Sequence, residues 1–213
     1  MSSNFIKTFG GAHLYPITDQ HLSGLSHAEQ VVLLSNCGAA VIQLREKLDP
    51  PSKFFKQAES AVQIAHDLGA KIIINDRVDI ALTVKADGVH LGQEDLPPGA
   101  ARRLLGSDAI IGFSTHNLAQ ARLATQMPID YVAIGPIFST TTKQSTNAPV
   151  GLAGLARVRA ALGEMPLVAI GGITTENVRA VIESGADVVA VIGDIWMPAK
   201  DYPEKLNRLI NYP

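Results

Sequence analysis

The sequence predicts an α/β protein built as a single (β/α)₈ barrel, and three observations support that fold. Apolar runs rich in Val and Ile recur along the 213 residues, and amphipathic stretches separate them. Strands of a parallel sheet that are buried on both faces show this continuous apolar pattern. The runs number eight when Leu14–Ile17 is the first and Val188–Ile192 is the last. Eight parallel strands that alternate with helices favour a closed barrel.

Each predicted helix precedes a turn into the next strand. Three of these turns share a Gly-Ala sequence, at Gly38, Gly69 and Gly185, where a left-handed glycine can end a helix. Asp87 and Asp130 precede other strands in comparable positions, so we interpret them as turn formers rather than catalytic residues. The predicted strands span residues 14–17, 40–42, 72–74, 89–91, 110–111, 132–134, 168–170 and 188–192. The predicted helices span residues 26–37, 51–68, 98–106, 117–126, 151–162, 174–184 and 202–211, with a shorter helix after Arg77.

An open doubly wound sheet is the main structural alternative. Such a sheet usually has a glycine-rich nucleotide-binding turn after its first strand, whereas Thr18-Asp19-Gln20-His21 occupies that place here. No polar linker divides the chain, so we expect residues 1–213 to form one barrel domain. Small and hydroxyl residues are concentrated at about 139–149, which we interpret as a mobile active-site loop.

Composition limits the classes of partner. The formal net charge is -2 at pH 7, so no chain-wide basic field is available to attract nucleic acid. The single cysteine, Cys37, cannot form an internal disulfide and is typical of a reducing compartment. The sequence shows neither a signal peptide nor an apolar stretch of bilayer length. We therefore expect a cytoplasmic protein that acts on small molecules without membrane or nucleic-acid partners, alone or as a homo-oligomer.

An amide and two cations leave the second strand together. Gln43, Arg45 and Lys47 alternate with Leu44 and Glu46, and a period of two places the first three on one face if the strand continues. Such a cluster favours an anion, with phosphate as a natural ligand. On spacing alone, the alternative that both cations are solvated charges paired with nearby acidic residues is about equally good.

An acidic pair follows the third and fourth strands. Asp76 and Asp95 would lie on neighbouring parts of the barrel rim, and Asn75 could add a polar contact. Two carboxylates, with the other positions left to water and substrate phosphates, are how proteins usually hold Mg²⁺. Alternatively, Asp76 caps the next helix and Asp95 shapes a turn. The neighbouring cations favour a site for Mg²⁺ and a diphosphate.

Glycine turns end the last two strands. Gly171-Gly172 follows the seventh strand and opens a helix, and Gly193 follows the eighth. In barrels these two loops often bind phosphate through backbone N–H groups. Tight turns also need glycine for steric reasons. The phosphate-site interpretation of Gly171-Gly172 therefore depends on their position after the seventh strand. Asp194 would repel a phosphate and is expected to point away.

Other reactive side chains give weaker signals. No His/Cys cluster has the spacing of a zinc site, although His90 and His116 lie nearest the expected site. Ser114 is close in sequence to His116 but lacks a nucleophile-elbow sequence, so a catalytic triad is poorly supported.

Six motifs follow one another along the chain: Gln43-Leu44-Arg45-Glu46-Lys47, Ile74-Asn75-Asp76, the segment 86–95, Gly135-Pro136-Ile137-Phe138, Thr140-Thr141-Thr142-Lys143 and Ala169-Ile170-Gly171-Gly172-Ile173. Together they closely resemble the thiamine phosphate synthase family, and the likeness extends from about Leu14 to Ile195. That resemblance implies a (β/α)₈ barrel enzyme. The family joins hydroxymethylpyrimidine diphosphate to a thiazole phosphate with Mg²⁺ and releases diphosphate.

The resemblance implies roles for the matching residues. Asp76 and Asp95 would hold the metal. The thiazole phosphate would be bound by Thr140, Thr141, Thr142, Gly172, Ile192 and Gly193. The pyrimidine diphosphate would be bound by Gln43, Leu44, Arg45, Glu46, Lys47, Asn75, Ser114 and Lys143. Of these, Arg45, Lys47, Ser114 and Lys143 are the predicted catalytic residues.

The family mechanism explains why cations are needed and a general base is not. In that mechanism the diphosphate leaves first, and the neutral thiazole nitrogen captures the pyrimidine-methyl cation that forms. Positive charge around the leaving group stabilises the charge that develops on it. This chain departs from the family at Ser139, where a proline is common, and at Gly193-Asp194, where Ser-Ala is frequent.

Two other functions stay open at this point. A thiazole tautomerase of the same superfamily would transfer a proton, with His116 as a candidate base. The acidic pair and Lys143 argue against it, because a tautomerase has no diphosphate to neutralise. The other alternative is a non-catalytic barrel that binds thiamine-related phosphates as a regulator.

Overall fold

The strands of the computed structural model form a closed barrel. The structure describes residues 13–140, 147–197 and 202–210, together with residues 5, 7, 9 and 11. Eight parallel strands pair in chain order, and the first also pairs with the last. This confirms the (β/α)₈, or TIM, barrel. The strands are β1 (Leu14–Thr18), β2 (Val41–Leu44), β3 (Lys71–Asn75), β4 (Gly88–Leu91), β5 (Ile110–Thr115), β6 (Tyr131–Ile134), β7 (Leu167–Ile170) and β8 (Val188–Val191).

Helices connect the strands around the outside of the barrel. Within the described ranges, none is long and apolar enough to cross a membrane. Those expected from the sequence are His27–Asn36, Pro51–Asp67, Val78–Thr83, Pro98–Leu105, Leu118–Ala124, Gly151–Leu162, Val178–Glu183 and Tyr202–Ile210.

Three differences from the predicted helices have local causes. The helix expected at 174–184 begins only at Val178, because the side chains of Asn177 and Thr174 bind backbone N–H groups and form a turn instead. Helices Gln20–Ser23 and Gly193–Trp196 were not predicted. Each has four residues, which is too short to show an amphipathic period.

Alternation along each strand separates the interior of the barrel from the layer under the helices. On β2, Val41 packs inside the barrel, whereas Ile42 and Leu44 pack in the outer layer. On β3, Ile73 is inside and its two neighbours are outside. The same parity continues to the carboxyl ends of the strands. Polar residues at inward positions there face the space above the core.

Three aspartates stabilise the amino-terminal end of the barrel. The carboxylate of Asp87 accepts the N–H of Ile72 at 2.8 Å, and that of Asp130 accepts the N–H of Ile111 at 2.8 Å. Asp187 similarly accepts the N–H of Leu167. Each aspartate precedes an even-numbered strand and binds the strand before it. The structure therefore places Asp87 and Asp130 at turns, away from the carboxyl-end cavity.

His27 is a buried histidine beneath the end of β2. Its Nδ1 lies 2.7 Å from Thr18 Oγ1, and its Nε2 lies 3.7 Å from a carboxylate oxygen of Glu46. Burial disfavours the charged imidazolium more than the nearby carboxylates favour it. The pKa of His27 is consequently lowered to about 4.

We expect acid to destabilise the fold through His27. In the unfolded chain this histidine takes up a proton near its ordinary pKa of about 6.5, whereas the folded state resists protonation down to about pH 4. Stability should therefore fall as the pH drops through this window, by about 2 kcal/mol between pH 7 and pH 5. Urea unfolding at both pH values measures the change.

His27→Gln should flatten that dependence by a similar amount, whereas His21→Gln, at a largely exposed side chain, should leave it intact. An unchanged pH dependence in His27→Gln would assign the acid sensitivity to another group.

Candidate active site

A cavity of about 950 Å³ opens at the carboxyl ends of the strands. Closure of the barrel brings these ends together although they are far apart in sequence. The predicted site residues that line the cavity are Gln43, Arg45, Lys47, Asn75, Asp76, Asp95, Ser114, Thr140, Gly172, Ile192 and Gly193. Thr141, Thr142 and Lys143 lie outside the described residues, as does most of the loop expected at 139–149.

Leu44 and Glu46 direct their side chains away from the cavity. Leu44 packs in the outer core, and Glu46 accepts the N–H groups of Leu48 and Asp49 at 2.7 and 3.0 Å. Burial opposes ionisation of Glu46, but these hydrogen bonds and one from Gln20 outweigh it and lower the pKa to about 2. Leu44 and Glu46 could therefore meet a substrate only through their backbone, as the period of two implies.

The two cations that follow β2, Arg45 and Lys47, have different partners. Arg45 donates from Nη1 to Asp19 Oδ2 at 2.8 Å, whereas Lys47 forms an ion pair with Asp76. Sequence spacing had left open a pairing with the nearer acidic residues. Arg45 thus binds a residue that directly follows β1, whereas Lys47 binds a member of the acidic pair.

Asp76 and Asp95 come together on the rim of the cavity. Asp95 accepts the N–H of Gly92 at 2.6 Å, so it also shapes its own turn. Burial raises the pKa of the Asp95 carboxyl, and the negative charge of Asp76 raises it further. Asp76 does not cap the next helix, whose first turn has no side-chain cap. Among the described residues no group of three or more His, Cys, Asp or Glu side chains is arranged for a metal, so the pair stands as two carboxylates.

Asn75 presents an unsatisfied donor. Its side chain is buried at the cavity wall, and its Nδ2 has no hydrogen-bond partner in the described part of the chain. Burying an amide donor without an acceptor costs free energy. An oxygen-rich ligand in the cavity would satisfy it.

The floor of the cavity is a chain of hydrogen bonds that the sequence did not predict. Gln43 Nε2 donates to the hydroxyl of Tyr15 at 3.1 Å, and the hydroxyls of Tyr15 and Tyr131 lie 3.1 Å apart. His90 joins Tyr131 to Ser114, with both contacts at 2.8 Å. Burial raises the pKa of both phenols, so both stay protonated. Alternation along the strands places these residues on the inner face, and that pattern is the feature of the sequence that could have identified them.

Ser114 and His116 do not form a triad. Ser114 Oγ contacts His90, whereas Nδ1 of His116 lies 2.7 Å from the carbonyl oxygen of Gly135. The partner of His90 on its other nitrogen is the hydroxyl of Tyr131 rather than a carboxylate. The contacts of His90 with Tyr131 and Ser114 therefore differ from the Ser–His–Asp arrangement of a triad.

The turn after β7 requires glycine for packing. Gly172 has a φ of 66°, and a Cβ there would lie 2.6 Å from the carbonyl oxygen of Ser139. Packing therefore explains why residue 172 is a glycine, and that explanation does not require a bound phosphate. Asp194 is one of the residues that line the cavity, and the expectation that its carboxylate points away from a bound phosphate stays a prediction. Its carboxylate accepts the N–H of Thr175 at 3.0 Å and lies 3.9 Å from Lys205 Nζ, so protein groups hold its charge.

Similarity to known proteins agrees with the geometry. A curated thiamine-phosphate synthase of Chloroflexus aurantiacus is 43% identical over 85% of this chain and 84% of its own length. One of Pelotomaculum thermopropionicum is 42% identical over 93% of this chain and 90% of its own. The solved structure of a thiamine phosphate pyrophosphorylase from Pyrococcus furiosus is 34% identical, covers 97% of this chain and 96% of its own, and superposes with a TM-score of 0.85.

Family membership follows from the extent of the match. The model of the family described as thiamine monophosphate synthase matches residues 14–195, which include all eight strands and the residues that line the cavity up to Asp194. The chain belongs to the thiamine monophosphate synthase family.

Proposed function

We propose that the protein is a thiamine-phosphate synthase, a transferase of thiamine biosynthesis. Its substrates are 4-amino-2-methyl-5-hydroxymethylpyrimidine diphosphate and 4-methyl-5-(2-hydroxyethyl)thiazole phosphate, and its products are thiamine phosphate and diphosphate. The observation that carries the proposal is the convergence on one cavity of two cations, two carboxylates and the buried Nδ2 of Asn75, which has no partner among the described residues. A diphosphate with a divalent cation complements all of these groups.

Mg²⁺ fits the acidic pair. Carboxylate oxygens are the ligands it prefers, and the mutual repulsion that helps to raise the pKa of Asp95 would be relieved by a cation between Asp95 and Asp76. Lys47 already places a positive charge on Asp76. When bound, Mg²⁺ would neutralise charge on the diphosphate leaving group.

The side chains around the cavity support cleavage of the carbon–oxygen bond to diphosphate. In the proposed reaction that bond breaks first, and its electron pair leaves with the diphosphate. Arg45 and Lys47 stabilise the negative charge that develops there, and Asn75 donates a hydrogen bond. The thiazole nitrogen then forms the new carbon–nitrogen bond to the pyrimidine-methyl cation. The protein orients both substrates and limits access of water to this cation.

The thiazole phosphate is proposed to bind on the opposite side of the cavity. The turns at Gly172 and Gly193 end β7 and β8 there, and Thr140 lies on the same wall. Backbone N–H groups at such turns bind phosphate without a positive side chain. Thr141, Thr142 and Lys143 stay predictions of the sequence, as do Ser114 as a catalytic residue and the cytoplasmic location.

The discriminating experiment is the release of diphosphate from purified protein with both substrates and Mg²⁺. A synthase forms thiamine phosphate and diphosphate in equal amounts. A tautomerase with His116 as base would release none, and a regulator would bind the phosphates without turnover. Absence of diphosphate release with both substrates saturating would reject the proposed function.

Replacement of either metal ligand should abolish Mg²⁺-dependent synthesis. Asp76 has a φ of 62°, a left-handed conformation that asparagine tolerates better than alanine, so Asp76→Asn and Asp95→Asn are the informative variants. We expect activity to fall by more than the roughly 10–100-fold that loss of an outer-shell partner costs. Calorimetric titration of Mg²⁺ in the presence of inorganic diphosphate should show weakened binding.

Asp67→Asn, at an exposed position on the outer helix Pro51–Asp67, is the matched control and should bind Mg²⁺ normally. Near-normal activity of Asp76→Asn at saturating Mg²⁺ would remove Asp76 from the metal site.

Loss of a cation should slow bond cleavage. We expect Arg45→Ala and Lys143→Ala each to reduce kcat by about 100-fold or more, as removal of one preorganised stabiliser of a developing anion does. Single-turnover kinetics with saturating thiazole phosphate measures this step. An effect of Lys143→Ala confined to the KM of the thiazole phosphate would instead assign Lys143 to that phosphate.

A further inference from the structure

Asp19, directly after β1, is fixed by protein contacts on every side. Its Oδ1 accepts the N–H groups of His21 and Leu22 at 3.0 and 3.1 Å, which caps the helix Gln20–Ser23. Its own N–H donates to Oε1 of the fully buried Gln30 at 2.9 Å. The remaining carboxylate oxygen, Oδ2, accepts from Arg45. The carboxylate is therefore oriented by the first turn of one helix and by Arg45, and Gln30 fixes the backbone from which it projects.

Arg45 lies between Asp19 and the active site. Its side chain lines the main cavity and also a smaller cavity of about 280 Å³ beside it. Asp19 lines only the smaller one, so its carboxylate is behind the guanidinium as seen from the substrate. The hydrogen bond to Asp19 uses Nη1, and a guanidinium has five N–H donors, which leaves others for an anion in the main cavity.

The two cations that follow β2 are therefore not equivalent. The partner of Lys47 is Asp76, a proposed metal ligand, so that ion pair must rearrange when Mg²⁺ and diphosphate bind. The partner of Arg45 lies outside the main cavity and can persist. The side chain of Arg45 is also much less exposed than that of Lys47, at 16% against 45%.

We propose that Asp19 is a positioning residue that holds Arg45 in place for the diphosphate substrate. The inference rests on the proposed function and deepens it. A fixed guanidinium loses less conformational entropy when the anion binds than a mobile one does. Asp19 itself touches no substrate and acts through Arg45.

Asp19→Asn separates this role from capping. Asparagine is as good an N-cap as aspartate, so the helix Gln20–Ser23 keeps its cap while Arg45 loses the negative charge of its partner. Calorimetry with inorganic diphosphate and Mg²⁺ is expected to show about tenfold weaker binding. In steady-state kinetics, the KM of the pyrimidine diphosphate should rise while that of the thiazole phosphate stays unchanged.

A double-mutant cycle tests whether Asp19 acts through Arg45. Asp19→Asn should cause no further loss of diphosphate affinity in an Arg45→Ala background. The matched control is Ser26→Ala, which removes the N-cap of the next helix, His27–Asn36, and should leave diphosphate affinity unchanged. Tighter diphosphate binding in Asp19→Asn would overturn the inference, because it would show that the carboxylate only repels the anion.

Additive effects of Asp19→Asn and Arg45→Ala, or an equal loss in Ser26→Ala, would also overturn it. These outcomes are distinguishable from failure of the proposed function. If the cycle behaves as expected but the wild-type protein forms no thiamine phosphate, only the reaction is wrong. If the protein forms thiamine phosphate and the cycle is additive, only the role of Asp19 is wrong.

Discussion

Closure of eight parallel strands is the constraint on which the rest of the structure depends. When β1 pairs with β8, every second side chain must point into a space of fixed width. Lower in that space, Phe5 stacks on Tyr131 with ring centroids 4.1 Å apart, and Phe9 packs edge-on against Tyr15. Towards the carboxyl ends, the inward positions include polar residues such as Gln43 and His90 beside apolar ones such as Ile170. The same strands therefore form an apolar interior near their amino-terminal ends and, near their carboxyl ends, a cavity into which polar side chains project.

The barrel interior changes from apolar packing to polar side chains within a few residues, and hydrogen bonds pair the polar groups at this boundary. Tyr15 and Tyr131 each present a ring to the core and a hydroxyl to the cavity floor. Buried polar groups are tolerated when they are paired, and His90 completes the chain to Ser114. Such a network holds the side chains of the cavity floor in fixed orientations, which unpaired polar side chains would not keep. The buried, unpaired donor of Asn75 stands out against this satisfied background and indicates where a ligand is needed.

Charge follows the same division between the two ends of the barrel. At the amino-terminal end, Asp87, Asp130 and Asp187 bind backbone N–H groups and join neighbouring odd- and even-numbered strands. At the carboxyl end, the cations that acidic side chains bind line the cavity. Asp19 holds Arg45, and Asp76 holds Lys47 beside Asp95. Residues of one type thus stabilise the fold at one end and prepare the cavity for an anion and a cation at the other.

The eight strands, most of the helices and the common side of the chain on which Gln43, Arg45 and Lys47 lie could be predicted from the sequence. These features depend on local periodicity, which is visible in a short window of residues. Only the tertiary structure decided the partners of those residues. Asp19 lies 26 positions from Arg45, and Tyr131 lies 41 positions from His90. The physical reason is that such pairs meet only because strand order, register and closure bring separate loops to one rim, and no local pattern records that meeting.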